Sequence, residues 1–263
     1  MKKVLLINDD GPDSPGLRAL IEPLSCLGEL LVVVPEEAVG GRGKSITLLK
    51  PVEVRELALE RPVNARFYVS TGTPADCFLI GLELLGGKPD LLVSGINMGP
   101  NLGIEDLLHS GTLGAAIQAS LHGVPAIAAS YGIGTGLPKP TPEQLKRDLA
   151  LAADLVAKLA SLVLEEGMPE GVDIISVNVP VGADRAKVMI TELMREAFWS
   201  AVGEREGRFF MRPWAKRAWD GPAGTDAKAL KEGYISITPV RLEVRCEKEA
   251  VEAFLARSRV IVA

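Results

Sequence analysis

A chain of 263 residues, 47% apolar and 24% charged, is long enough to bury one large α/β core, and it has the composition of an ordinary globular protein. Its net charge of −5 carries no block of like charge, which excludes a general electrostatic grip on nucleic-acid polymers or an anionic membrane but leaves a small phosphate ligand open. Three scattered cysteines, Cys26, Cys77 and Cys246, exclude a disulfide framework and a thiolate zinc site, and no stretch reaches the ~18 apolar residues of a membrane span, so a soluble, cytoplasmic protein is expected.

The first apolar run, residues 4–7, stops after four residues at Asn8-Asp9-Asp10, which makes it a buried strand and not the core of a secretion signal. Leu17, Leu20, Ile21, Leu24 and Leu27 follow at helical spacing, and residues 30–34 form a second buried run. Strand, helix and strand in about 35 residues make a βαβ unit and imply a parallel sheet. Residues 67–70 read as the next strand. Thr73 then supplies an N-cap, Pro74 the first helical position and Asp76 the partner of a capping box, with Phe78, Leu79, Leu82 and Leu85 carrying the helix to Gly86-Gly87. A strand at 90–94, a helix of small residues at 111–122 and a strand at 125–130 continue the alternation.

Residues 138–142 lead into a long helix at about 143–166, with Leu149, Leu155, Val156, Leu159 and Val163 on one face, and 172–179 is another apolar strand. Beyond Pro180 the rhythm changes. Residues 187–220 hold Trp199, Trp214 and Trp219 among charges without a helical period, which predicts a protruding β-arm whose aromatics need a second surface. A strand at 234–238, a helix near 247–256 and the apolar tail Val260-Ile261-Val262 complete the chain. The expected fold class is α/β, a doubly wound, mostly parallel sheet.

In such sheets ligands bind where the loops converge at the carboxyl ends of the strands. Those loops are loaded here: Asn8-Asp9-Asp10-Gly11-Pro12, the Gly40-Gly41-Arg42-Gly43-Lys44-Ser45 stretch, Ser70-Thr71-Gly72-Thr73, and a Gly-rich run from Ser94 to Gly103 that leads to His109-Ser110-Gly111-Thr112. Asp9 and Asp10 have two readings, a plain turn or a cation site, because adjacent carboxylates repel unless a proton or a cation intervenes. With only His109 and His122 in the chain and no clustered thiol, a metal there is held by oxygen, which favours Mg²⁺ or Mn²⁺ over Zn²⁺. Asn97 and Asn101 offer amides. Ser110, Gly111 and Thr112 open a helix, where free N–H groups cap the helix and can cradle phosphate. Neither a Walker nor a dinucleotide fingerprint is present.

Taken together, the segments Asn8 to Gly11, Thr71 to Cys77, Ser94 to Asn101, His109 to Thr112 and Gly233 to Pro239 resemble the SurE (survival protein E) family over nearly the whole chain. The resemblance implies a Rossmann-like three-layer core, one divalent metal ion per subunit, and hydrolysis of nucleoside 5′-monophosphates, with 3′-nucleotides and short polyphosphate as further substrates. It also implies homodimers or homotetramers that exchange C-terminal segments. Residues 1–180 would be the catalytic core, and 181–263 the β-arm and oligomerisation segment of the same structural unit. Carried over by motif, Asp9, Asp10 and Asn97 are the expected metal ligands and catalytic residues. Asn8, Lys44, Ser45, Asn101, Ser110, Gly111 and Thr112 are expected around the phosphate, and Asp9 is expected also to orient the attacking water. Two positions depart from the family pattern: Gly40 stands where the family has a metal-binding serine, and Lys44 where it has a histidine. The alternative is therefore a non-catalytic nucleotide-binding module with a weakened metal site. An aspartyl-phosphate phosphatase fits less well, because its carboxylates are spaced as DxD, and a dinucleotide oxidoreductase lacks its GxGxxG.

Overall fold

The computed structural model of the chain describes residues 1–58, 63–134, 137–195, 201–212 and 221–257. Nine strands form one sheet in the order β3-β4-β2-β1-β5-β6-β7-β11-β8. Six of them are mutually parallel: β1 (Lys3–Ile7), β2 (Glu29–Pro35), β4 (Ala65–Ser70), β5 (Leu91–Met98), β6 (Ala126–Gly132) and β7 (Ile174–Pro180). Their order, β4-β2-β1-β5-β6-β7, is that of the Rossmann doubly wound sheet, with its switch point between β1 and β5. The edges differ. β3 (Val54–Leu57) pairs antiparallel with β4, β11 (Ile235–Val240) antiparallel with β7, and β8 (Val188–Ile190) parallel with β11.

Both faces of the central strands are apolar, as a sheet covered on two sides requires. One core layer joins Leu6, Val32 and Val93 to Leu17 and Leu20 of α1 (Pro15–Ser25) and Val156 and Ala160 of α5 (Pro142–Glu166). The other joins Leu5, Leu31 and Leu92 to Phe78 of α2 (Pro74–Leu85) and Leu113 and Ala116 of α4 (Gly111–Leu121). The result is the expected three-layer α/β/α arrangement. Thr73 and Asp76 form the capping box read from the sequence, and Gly86 closes α2 in a left-handed conformation at φ 64°.

Several elements differ from the sequence reading. β5 runs on to Met98 through a register shift between Ser94 and Asn97, so Asn97 sits on the strand end and not in a free loop. Glycine in a run of this kind reads as loop, and bulges of this sort lie preferentially beside functional sites. α3 (Gly103–His109) and α6 (Asp226–Lys231) have seven and six residues, too few for a periodic signal. β9 (Ala201–Arg205) and β10 (Arg208–Arg212) pair as an antiparallel hairpin separate from the large sheet. α7 (Lys248–Arg257) has no buried residue. Trp199, Trp214, Trp219 and the tail Val260-Ile261-Val262 lie outside the described residues. Among the described residues no helix is long and apolar enough to cross a membrane.

Candidate functional site

The switch point between β1 and β5 brings the two acidic residues and the amide together. Asp9 and Asp10 follow β1 after Asn8, and the Met98 N–H at the end of β5 donates to Asp10 Oδ2 at 2.7 Å, which ties the strand end that carries Asn97 to the carboxylate turn. Asp9 is 4% exposed. Its Oδ1 accepts the Thr112 hydroxyl at 2.6 Å, and the backbone N–H groups of Gly111 and Thr112 at the start of α4 offset part of the effect of burial on its carboxyl. Gly111 is required for this approach: a Cβ there would lie 2.7 Å from Asp9 Oδ2. Asn97 donates its amide to Gly99 O at 2.7 Å, so its Oδ1 has no hydrogen bond among the described residues.

The surroundings of the carboxylate pair disfavour its charge. Burial raises the Asp9 carboxyl above 3.8 in spite of its donors. Burial also lifts Asp10 to about 6, with the neighbouring Asp9 charge adding to the effect. No lysine or arginine among the described residues answers either charge. One buried and one half-buried carboxylate with an amide oxygen offer a hard-oxygen donor set of the chemistry that suits a divalent cation.

The remaining expected residues divide into two groups. Asn8 is fully enclosed, and its amide serves the protein: Oδ1 accepts the Asp10 N–H at 2.7 Å and Nδ2 reaches Ile96 O at 3.2 Å. It therefore shapes the Asp9-Asp10 turn and has no surface to offer a phosphate. The Thr112 hydroxyl is likewise given to Asp9. Ser110 caps α4 by accepting the Leu113 N–H at 3.2 Å and remains able to donate its own hydrogen. Asn101 donates to Ser130 Oγ at 2.8 Å.

The second loop closes over α4. Val39 N–H donates to Asp9 O at 2.8 Å and Gly43 N–H to His109 O at 2.6 Å, which carries Lys44 to the start of that helix. Gly40 is exposed, with no atom within 4 Å of where a Cβ would stand. Asp76 turns out to pin this loop as well as cap α2. It accepts the Thr47 hydroxyl at 2.6 Å and the Thr47 and Thr73 N–H groups, while Thr73 Oγ1 donates to Ser45 O at 2.6 Å. Burial pushes the Asp76 carboxyl upward, but these bonds outweigh it and hold the group below 3.8. The sequence showed only the capping box here, because the Thr47 contact spans 29 positions.

Two further positioning residues gave no local signal. Asn178 on β7 is fully enclosed and grips the Asn101 backbone in both directions, accepting its N–H and donating to its carbonyl, each at 2.9 Å. Asp106 on α3, 1% exposed, accepts the Leu102 N–H at 2.7 Å and faces His109.

The sequence profile described as "Survival protein SurE" matches residues 4–200. A protein of Archaeoglobus fulgidus named 5′-nucleotidase SurE is 38% identical over 253 residues, covering 94% of each chain. One of the same name from Thermofilum pendens is 40% identical over 245 residues, covering 91% of this chain and 90% of the other. The crystal structure of the SurE protein from Aquifex aeolicus matches with a TM-score of 0.75 at 32% identity, over 97% of this chain and 99% of that one. A profile match over three quarters of the sequence, and full-length relatives near 40% identity, agree with the switch-point site built from Asp9, Asp10 and Asn97: the chain belongs to the SurE family.

Proposed function

We propose that the protein is a metal-dependent 5′-nucleotidase, a phosphomonoesterase that hydrolyses nucleoside 5′-monophosphates to nucleoside and phosphate. The observation that carries this reading is the pair of the buried Asp9 and the half-buried Asp10, without a cationic partner among the described residues, near Asn97 at the switch point of a doubly wound sheet. It favours an enzyme over a non-catalytic binding module, which would have no use for two uncompensated carboxylates. The test is phosphate release from a panel of nucleoside monophosphates with EDTA, then with Mg²⁺ or Mn²⁺ restored. Release that EDTA abolishes and metal restores is expected. Turnover unaffected by EDTA would sink the reading.

Asp9, Asp10 and Asn97 would hold the ion, which when bound supplies the charge that polarises a phosphoryl oxygen and acidifies water. Asp9 is expected from the sequence to orient the water. In our reading Asp9, enclosed and bonded by Thr112, is the fixed ligand, and that role passes to Asp10, whose Oδ1 has no hydrogen bond among the described residues. Lys44, Ser45, Asn101 and Ser110 surround the phosphate in this reading, with Lys44 answering charge that grows on the transferring group. 3′-Nucleotides and short polyphosphate are further substrates we assign on the family's pattern.

At Gly40 the family serine is missing, and open space surrounds the position. Gly40→Ser is therefore expected to fold normally and to lower the metal concentration for half-maximal activity by about 3- to 10-fold. An unchanged metal titration would show that the position is not a ligand site. A homodimer or homotetramer with exchanged C-terminal segments is part of the proposal. It is supported by α7, which exposes Val251 (56%) and Phe254 (68%), and by Phe209 (70%) on the hairpin. Light scattering should give a multiple of the 28.0 kDa chain, and a monomer at micromolar concentration would refute this part. A cytoplasmic location fits the three free cysteines, two of them exposed.

A further inference from the structure

Of the two histidines, His122 is a packing residue: its ring stands edge-on to Phe78 at 5.2 Å between centroids, and Nδ1 meets Gln118 O at 2.8 Å. His109 is different. It ends α3 immediately before the Ser110 turn into α4, the helix whose first residues hold Asp9. Its side chain is 45% exposed, while Nε2 lies 3.2 Å from Oδ1 of Asp106, a carboxylate that is 1% exposed. The other Asp106 oxygen is committed to the Leu102 N–H, which fixes the carboxylate where it faces the ring. The His109 carbonyl accepts the Gly43 N–H, which sets the histidine between the α4 terminus and the loop bearing Lys44. An imidazole with one nitrogen 3.2 Å from a buried carboxylate, on a side chain that is still 45% exposed, can act as a proton donor at the surface of the site.

The site as described serves one side of the reaction. Asp10 attends the attacking water, and Asp9 and Asn97 provide for the ion. Nothing among them serves the sugar oxygen that departs as a strongly basic alkoxide. We propose that His109 is the general acid that protonates this leaving oxygen through Nδ1, with Asp106 as its positioning residue. The assignment rests on the nucleotidase reading. As the bond from water oxygen to phosphorus forms, the bond from phosphorus to the sugar oxygen breaks, and its electron pair stays on that oxygen, which takes the Nδ1 proton. The proton lost by the water passes by way of Asp10 to solvent or product phosphate, and solvent reprotonates His109.

The test compares two leaving groups on the full chain with saturating Mg²⁺ or Mn²⁺: a nucleoside 5′-monophosphate, whose alkoxide needs a proton, and 4-nitrophenyl phosphate, whose phenolate leaves without one. His109→Asn is expected to lower kcat on the nucleotide by about 100-fold or more, and by at least about 30-fold more than on 4-nitrophenyl phosphate. His109→Gln should behave alike, and Asp106→Asn should give the same selective pattern at about 10-fold. Because a misfolded or metal-free variant loses both substrates together, the ratio separates chemistry from structural damage. Equal losses on both substrates in the two His109 variants, or no loss on the nucleotide, would overturn the assignment and leave the nucleotidase reading standing. A wild type inert on both would overturn that reading and this assignment with it.

Discussion

Replacing Asp10 by asparagine is expected to lower metal-supported phosphate release by at least about 1,000-fold, while making the metal-free protein more stable above pH 6. The two effects have one cause. The Asp10 carboxyl is raised from 3.8 to about 6, first by burial and then by the Asp9 charge. A carboxyl raised in the folded state contributes stability that is fully present below pH 3.8 and is lost as pH rises through about 6. At pH 7.5 the ion-free native state therefore bears the full cost, roughly 2–3 kcal/mol.

Asparagine removes that charge but keeps an oxygen to accept the Met98 N–H, and with it the local geometry. In EDTA at pH 7.5 the variant should melt several degrees above wild type, at about 2–4 °C per kcal/mol for a chain of this size, and the advantage should shrink by pH 5. Mg²⁺ or Mn²⁺ should raise the wild-type melting temperature at pH 7.5 and do little for the variant. A variant no more stable than wild type in EDTA, or one that keeps its activity, would remove Asp10 from the metal site.

Gly111→Ala is the second substitution with a large expected effect, and helix propensity argues the other way. Alanine is the better helix former by up to about 1 kcal/mol and ought to strengthen the first turn of α4. The new methyl group, however, would lie 2.7 Å from Asp9 Oδ2 and 2.9 Å from Asp9 Cβ. Asp9 has little room to withdraw, because its own carbonyl is held by Val39 N–H at 2.8 Å and its Oδ1 by Thr112. We expect the variant to keep its fold by circular dichroism, to need more metal for half-maximal activity, and to lose about 100-fold in kcat/KM. Full activity at the wild-type metal concentration would mean that Asp9 can be displaced without consequence and is not a ligand.

Much of the fold and part of the site were legible in the sequence, for reasons that are local. Buried-strand runs at 4–7 and 30–34 announce themselves because strands covered on both faces have no polar alternation to dilute them. The α2 start was readable from Thr73, Pro74 and Asp76, since a capping box closes within four residues. Asp9, Asp10 and Asn97 stood out because they follow or end strands that the apolar pattern had already located. β3, with three of its four residues exposed, gave no such pattern, and neither did the short helices α3 and α6.

By itself, then, the sequence determined the alternation of elements, the loops in which chemistry sits, and the SurE resemblance. The tertiary structure alone decided which groups spend their hydrogen bonds on one another. Thr112 reaches Asp9 across 103 positions and Asn178 reaches Asn101 across 77, and both contacts depend on strand order. That order also turned Asn8 from an expected phosphate contact into an enclosed support for Asp10. It made Asp76 an anchor for the second loop and set Asp106 behind His109. A hydrogen bond needs its two groups within about 3 Å, and for residues distant in the chain only the folded register of strands and helices fixes that distance.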